Sequence, residues 1–267
     1  MPRLAILFFV VLSALNFLGQ TPSPVPTSDP QAVTLAQQSV AALTGVSPTD
    51  VSGSPIGDVT LNASVVSILG SDYETGSGIL RAKGSSESRV DLTLSNGIRS
   101  DVRNLTNGVP GGGWMTGAVA SKPYAEHNCW GDATWFFPAL SSLSQTANQN
   151  FIFKYLGQTQ HNGVNAQHIQ VFQVLTTYAV VQKLSATDFY LDPVSFLPVS
   201  VDFNMHSDVD VNTSIPVEIN FANYQQVNGI QVPFHMERML NGGVVLDITI
   251  TSAAFNTGLP DSLFTLP

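Results

Sequence analysis

Charge is scarce in this chain. Only 11% of its 267 residues are Asp, Glu, Lys or Arg, against about 25% in an average soluble domain. Cations are scarcest: ten Lys and Arg stand against nineteen Asp and Glu, for a net charge of −9. Nucleic-acid binding relies on Lys and Arg to displace phosphate counterions, so that class is excluded, and charge-driven adhesion to anionic lipid is disfavoured. There is one cysteine, Cys129, so no internal disulfide can form and stability must come from core burial. With no motif around it, Cys129 reads as a small buried apolar side chain rather than a nucleophile or an intermolecular bridge.

Motifs of catalysis and metal binding are also lacking. No G-x-S-x-G occurs, and Gly76-Ser77-Gly78 lacks its frame. Gly111-Gly112-Gly113 is followed by no Lys-Ser or Lys-Thr and reads as a flexible loop, not a phosphate cradle. His127, His161, His168, His206 and His235 show no close metal-ligand spacing. His235 and Glu237 share the outer face of an expected strand, where a metal site could assemble only across strands. Ser207–Asn212 places oxygen side chains at alternate positions but lacks a calcium loop's central Gly, and Glu218 falls one residue short, so it reads as a solvated loop. Asn62, Asn104 and Asn212 fit the glycosylation sequon, which matters only in a eukaryotic secretory pathway. No catalytic residue, metal or cofactor is expected, and the chain is not read as an enzyme.

What is present is apolar mass and β patterning. Apolar residues make up 43% of the chain, enough for a core, and uncharged Ser, Thr, Asn, Gln and Gly fill much of the remainder, a β-rich secreted composition. Arg3 precedes the uncharged run Leu4–Leu18, fifteen residues long. That is short of the roughly 20 that span a bilayer as a helix. Residues 1–19 are read as a signal peptide, cleaved after Gly19. The bulk of Phe17 keeps an uncleaved N-terminal anchor as the alternative, and no Cys follows for lipoprotein acylation. Residues 20–30 form a Pro-rich linker, and 31–267 a single β domain. The location expected is periplasmic or secreted.

The domain opens with a helix over Asp29–Gly45: Asp29 as cap, Pro30 at the first position, Gly45 as stop. Val33, Ala36, Val40 and Leu43 form its apolar stripe. Beyond Val59 the period becomes two. Val90, Leu92 and Leu94 alternate with Arg89, Asp91 and Thr93. Val217, Ile219 and Phe221, then Ile230, Val232, Phe234 and Met236, then Leu246, Ile248 and Ile250 likewise face inward. Glu218, Gln231, His235, Glu237, Asp247, Thr249 and Thr251 face out, and Pro233 belongs at an edge or a non-paired position. Asn-Gly at 96–97, 107–108, 162–163, 228–229 and 241–242 predicts tight hairpins and hence an antiparallel meander. Tyr124–Ser144 interrupts the strands as an aromatic-rich insert or two short helices lying against the sheet.

The C-terminal third resembles the periplasmic lipoprotein-carrier superfamily (LolA/LolB-like) and related secreted proteins of acidobacterial type. The residues that carry the resemblance are Phe189-Tyr190-Leu191-Asp192-Pro193 with Leu197-Pro198, Phe221-Ala222-Asn223-Tyr224, Val227–Pro233, Phe255-Asn256 and Asp261–Phe264, together with the opening helix. The resemblance implies a mainly β (α+β) fold: a curved antiparallel sheet, an unclosed barrel, with covering helices. It also implies a concave face that holds acyl chains. On that basis Trp130, Trp135, Phe136 and Phe137 of the insert are candidate ligand-binding residues, the alternative being that they fill the core. The function expected is an extracytoplasmic protein binding an apolar, lipid-like ligand in a half-barrel. The alternative is a structural or protein-interaction module of the cell envelope, partnered by an envelope protein and without a ligand.

Overall fold

The computed structural model describes residues 26–46, 54–175 and 179–266. The expected signal peptide, and the linker as far as residue 25, lie outside these residues. The opening helix α1 runs Pro30–Thr44, with Pro30 at its start and Gly45 in the left-handed conformation (φ 72°), donating its N–H to Ala41 O at 2.8 Å. This is the glycine stop read from the sequence. Asp29 is not the expected side-chain cap. Its carboxylate instead accepts the Tyr155 amide at 3.1 Å and pairs with Lys154 at 3.2 Å. The buried face is Ala32, Leu35, Ala36, Ser39, Val40 and Leu43, with Val33 only at its margin. No described helix is long and apolar enough to cross a membrane.

Thirteen strands follow in two meanders. The first comprises β1 (Asp58–Leu69), β2 (Asp72–Lys83), β3 (Glu87–Leu94), β4 (Gly97–Thr106), β5 (Val109–Thr116) and β6 (Lys122–Pro123). The second comprises β7 (Phe151–His161), β8 (Val164–Gln173), β9 (Thr187–Leu191), β10 (Pro198–Ser207), β11 (Asp210–Val227), β12 (Ile230–Leu240) and β13 (Gly243–Phe255). They form one antiparallel sheet because β1 pairs with β13, giving the order β6-β5-β4-β3-β2-β1-β13-β12-β11-β10-β9-β8-β7. The edges, β6 and β7, do not pair, so the barrel is unclosed. Arg103 of β4 and His206 of β10, seven places apart in that order, both bond the single residue Asn128, which requires a curled sheet.

Four of the five Asn-Gly pairs make the expected turns. Asn107, Asn162, Asn228 and Asn241 have φ of 49° to 54°, each followed by a positive-φ Gly, the geometry that matches strand twist. The fifth is displaced: Leu94 pairs with Gly97, so the turn is Ser95-Asn96 and Gly97 already belongs to β4. Gly111-Gly112-Gly113, expected as a loop, lies within β5. A Cβ on Gly112 would sit 2.2 Å from Val102 O, and one on Gly113 would sit 2.6 Å from Lys122 O. Glycine here lets three backbones close up. Pro233 pairs with Tyr224 of β11, while β12 meets β13 only from His235 onward, so Pro233 faces no β13 partner.

The insert connects the two edges of the sheet. It contains three short 3-10 turns, Glu126–Cys129, Pro138–Leu140 and Ser142–Ser144, in place of two helices. Asn128 ties it to β10: its side chain accepts the His206 amide at 2.7 Å and donates to His206 O at 2.8 Å. On the other flank, Arg103 of β4 donates to Asn128 O at 2.6 Å. One residue thus staples the two meanders across the opening. Behind it, α1 and the later turns fill one half of the concave face, where Phe136, Phe137, Leu140 and Leu143 are buried against the core.

Candidate functional site

The unfilled half of the concave face is where the site lies. Strand parity builds it. On β12 the inward set Val232, Phe234, Met236 continues to Arg238 and Leu240. Arg238 stands opposite Leu246 of β13 and Ile219 of β11. On β4, Arg99 and Asp101 lie opposite the inward residues Leu92 and Val90 of β3, and Trp114 of β5 lies opposite Asp101.

Two adjoining lobes result. The narrower, about 190 Å³, is walled by Val90, Leu92, Asp101, Trp114, Trp135 and Arg238. The wider, about 330 Å³, is walled by Leu69, Leu92, Met205, Ile215, Leu240 and Leu246, with Arg99 and Arg238. Leu92, Arg99, Arg238 and Leu246 line both, so the lobes form one groove across the sheet. Its rim is apolar and open: Leu69 is 55% exposed and Trp114 37%.

Two of the chain's ten basic residues sit in this apolar groove. Arg99 is spoken for, donating to Ser67 Oγ at 3.0 Å and pairing with Glu74 at 2.6 Å. Arg238 is not so held. Its guanidinium lies 5.0 Å from the centre of the Trp135 ring and donates to Met205 Sδ at 3.5 Å. These are soft contacts, weaker than a charged pair. Burial pushes its pKa below the ordinary guanidinium value, against the pull of Asp101 and Tyr124. Asp101 itself accepts the Tyr124 hydroxyl.

The four candidate aromatics do not share a pocket. Phe136 and Phe137 are fully buried; Phe137 packs 5.9 Å from the Phe255 ring and Phe136 meets Trp135 edge-on at 5.4 Å. Trp135 alone lines the groove. Trp130 lies in a separate, more polar cleft of about 250 Å³ with Arg103, Cys129 and Asp132. In that cleft Asp132 accepts the Ser142 amide and hydroxyl at 2.9 and 2.8 Å, and burial raises its pKa despite them. The sequence reading missed Trp114, Met205, Ile215, Arg238 and Leu240. For Arg238 and Leu240 the signal was available, since the alternation through Met236 extends to both.

The outer face of the sheet carries titratable groups. Asp188, Asp202 and Glu218 are direct cross-strand neighbours on β9, β10 and β11. His161 reaches Glu218 at 3.7 Å and Asp202 at 3.9 Å, and its ring stacks on Tyr190 at 3.7 Å. Burial, with Glu218 adding like charge against the pull of His161, pushes Asp202 up to about 6. His161, Asp202 and Glu218, and separately His235, Glu237 and Asp247, bring one donor atom each within 4.8 Å of one another. Both sets have the composition of a cation site. Each set holds one histidine among carboxylates, so the two histidines are scattered as expected and it is acidic groups that gather around each. Ser207–Asn212 comprises the ends of β10 and β11 and the Asp208-Val209 turn between them, where the Asp210 carboxylate accepts the Asn212 amide at 2.9 Å and the Thr213 hydroxyl at 2.6 Å.

No protein-family model matches the sequence. No curated protein matches it either. Solved structures do match. A domain from Vibrio parahaemolyticus described as an outer membrane lipoprotein-sorting protein domain aligns with a TM-score of 0.54 at 14% identity, over 88% of this chain and 96% of its own. A DUF1329 family protein from Desulfovibrio piger aligns with a TM-score of 0.51 at 13% identity, over 87% and 97%. A LolA superfamily protein from Nitrosomonas europaea aligns at 0.47 and 13%, over 88% and 97%. At such identities the likeness is one of fold. The fold is the one shared with the lipoprotein-sorting domain and the DUF1329 protein.

Proposed function

We propose that this protein is an extracytoplasmic binding protein, not an enzyme, that holds an apolar, acyl-type ligand in the concave groove. The observation that carries this reading is the half-filled concave face. Phe136, Phe137 and α1 pack one half solid, while Leu92, Met205, Ile215, Leu240 and Leu246 line open space in the other. Apolar walls around a concavity of this order, with few polar groups, are what small-molecule sites are made of. Contiguous apolar surface left open to water is otherwise a liability. The fold likeness to a lipoprotein-sorting domain supports the same reading, as does the sequence of residues 1–19, read as a signal peptide that would deliver the chain to the periplasm or beyond.

Two experiments test this. Protein purified from its expression host is extracted with organic solvent and also examined by native mass spectrometry, and a co-purified amphiphile is expected. Delipidated protein is then titrated with hexadecanoate while tryptophan fluorescence is followed, because Trp114 and Trp135 border the narrower lobe. A saturable change is expected, and it should be lost on Ile215→Trp, which fills the wider lobe. Absence of both a co-purified ligand and a saturable response would overturn the reading.

A further inference from the structure

Arg238 poses a question that the groove alone does not answer. A guanidinium facing Leu246 and Ile219 across the sheet, with no ion pair among the described residues, sits in an expensive place. In a chain with ten cations in all, one stands on the floor of an apolar concavity with only the longer-range pull of Asp101 to offset its charge. An apolar residue there would pack at no such cost. The position also decides where a ligand's head would go. Arg238 lines both lobes, so it marks their junction. An acyl chain laid in the wider lobe against Met205, Ile215 and Leu240 would bring its end group to this fork of N–H donors.

From this we infer that the groove selects an anionic single-chain amphiphile, an acyl or alkyl chain ending in a carboxylate or phosphate, with Arg238 as the residue that binds the head group. The inference rests on the groove being a ligand site, as proposed above. A planar guanidinium offers two parallel donors to such oxygens, which an alcohol or ester cannot match. The guanidinium is placed by the Trp135 ring at 5.0 Å and by Met205 Sδ, to which only Nη2 donates. Asp101 borders the same lobe and attracts Arg238 without forming an ion pair with it, its carboxylate accepting the Tyr124 hydroxyl instead, and Arg99 is committed to Ser67 and Glu74. Arg238 is therefore the donor left for an incoming anion. Of the lobe volumes, about 190 and 330 Å³, the first falls below and the second at the lower end of the range for ligand pockets, about 300 to 1,000 Å³. They suit one chain, not several.

A purely structural role, pinning Trp135 and the insert to β12, is the competing account, and head-group selectivity separates the two. Dissociation constants are measured by calorimetry for hexadecanoate, hexadecyl phosphate and hexadecanol on wild type, Arg238→Met and Arg238→Lys. The Met variant keeps the apolar stem of the side chain, and the Lys variant keeps the charge without the fork. Wild type is expected to prefer one or both anions over the alcohol by about tenfold or more, the worth of a charge-assisted hydrogen bond. Which anion binds tighter identifies the head group. Arg238→Met should abolish the preference while still binding the alcohol, and Arg238→Lys should keep part of it. Equal binding of anions and alcohol by wild type overturns the inference and leaves the apolar site standing. Loss of affinity for all three ligands alike in Arg238→Met, with Arg238→Lys unchanged in selectivity, also overturns it. If wild type binds none of the three, both the inference and the ligand site fall together.

Discussion

Shortening the ligand is the perturbation whose cost the groove geometry sets most directly. A methylene moved from water into an apolar site contributes about 0.8 kcal/mol, close to a fourfold change in dissociation constant. The wider lobe, about 330 Å³ and walled by Leu69, Met205, Ile215, Leu240 and Leu246, has room for only part of a long chain. Affinity should therefore climb about fourfold per methylene from octanoate through decanoate to dodecanoate. It should then level off once the tail emerges past Leu69, which is 55% exposed at the rim. Calorimetry at several temperatures reads both quantities, and the heat-capacity change should grow more negative over the same range and stop growing with it. A dissociation constant that does not vary between octanoate and dodecanoate would refute the reasoning, because it would mean that no methylene enters the groove.

Other expectations concern what holds the groove in shape. Phe137→Ala removes a fully buried ring packed on Phe255 and should cost about 3–5 kcal/mol in denaturant unfolding. Asp58 accepts the Thr257 amide and hydroxyl and the Gly258 amide at 2.8 to 2.9 Å, tying the C-terminal segment to β1. Asp58→Ala should cost about 3 kcal/mol and open residues 257–266 to limited proteolysis. Asp202, pushed up to about 6, binds a proton more tightly folded than unfolded. Its contribution is therefore present in acid and lost as pH rises from about 4 to 6. Asp202→Asn should leave thermal stability little changed at pH 4 and raise it at pH 8, so a lower melting temperature for the variant at pH 8 would contradict the assignment.

What could be read in advance was whatever is encoded locally. Alternation at Val90–Leu94 and Leu246–Ile250 placed inward faces correctly, and Asn-Gly at 107, 162, 228 and 241 placed hairpins correctly. At Ser95-Asn96 the same dipeptide misled by one position, because the β3–β4 register outweighed the turn preference of Asn-Gly. Asp29 misled too: a cap is a local option, and the unpaired edge of β7 offered its carboxylate a better partner at the Tyr155 amide. The pairing of β1 with β13 joins residues about 190 positions apart. No short-range pattern specifies it, and without it the edges β6 and β7 cannot be identified. That is why the insert could be recognised as aromatic but not as the strap across the opening. It is also why Trp130, Trp135, Phe136 and Phe137 could be named but not sorted between cleft, groove and core. Arg238 is a different case. Its inward parity followed from Val232, Phe234 and Met236, but a lone charge in an apolar series reads as the end of a strand until the strand is seen to continue.

The central claim is that the open half of the concave face is the place where a ligand's chain lies. A crystal structure of the protein with decanoate brominated at its terminal carbon, a chain short enough to stay within the lobe, tests this, since bromine is located by anomalous scattering without interpretation of weak density. The bromine is expected in the wider lobe, among Met205, Ile215, Leu240 and Leu246. A peak beside Trp130 in the polar cleft, or on the outer face of the sheet, would contradict it.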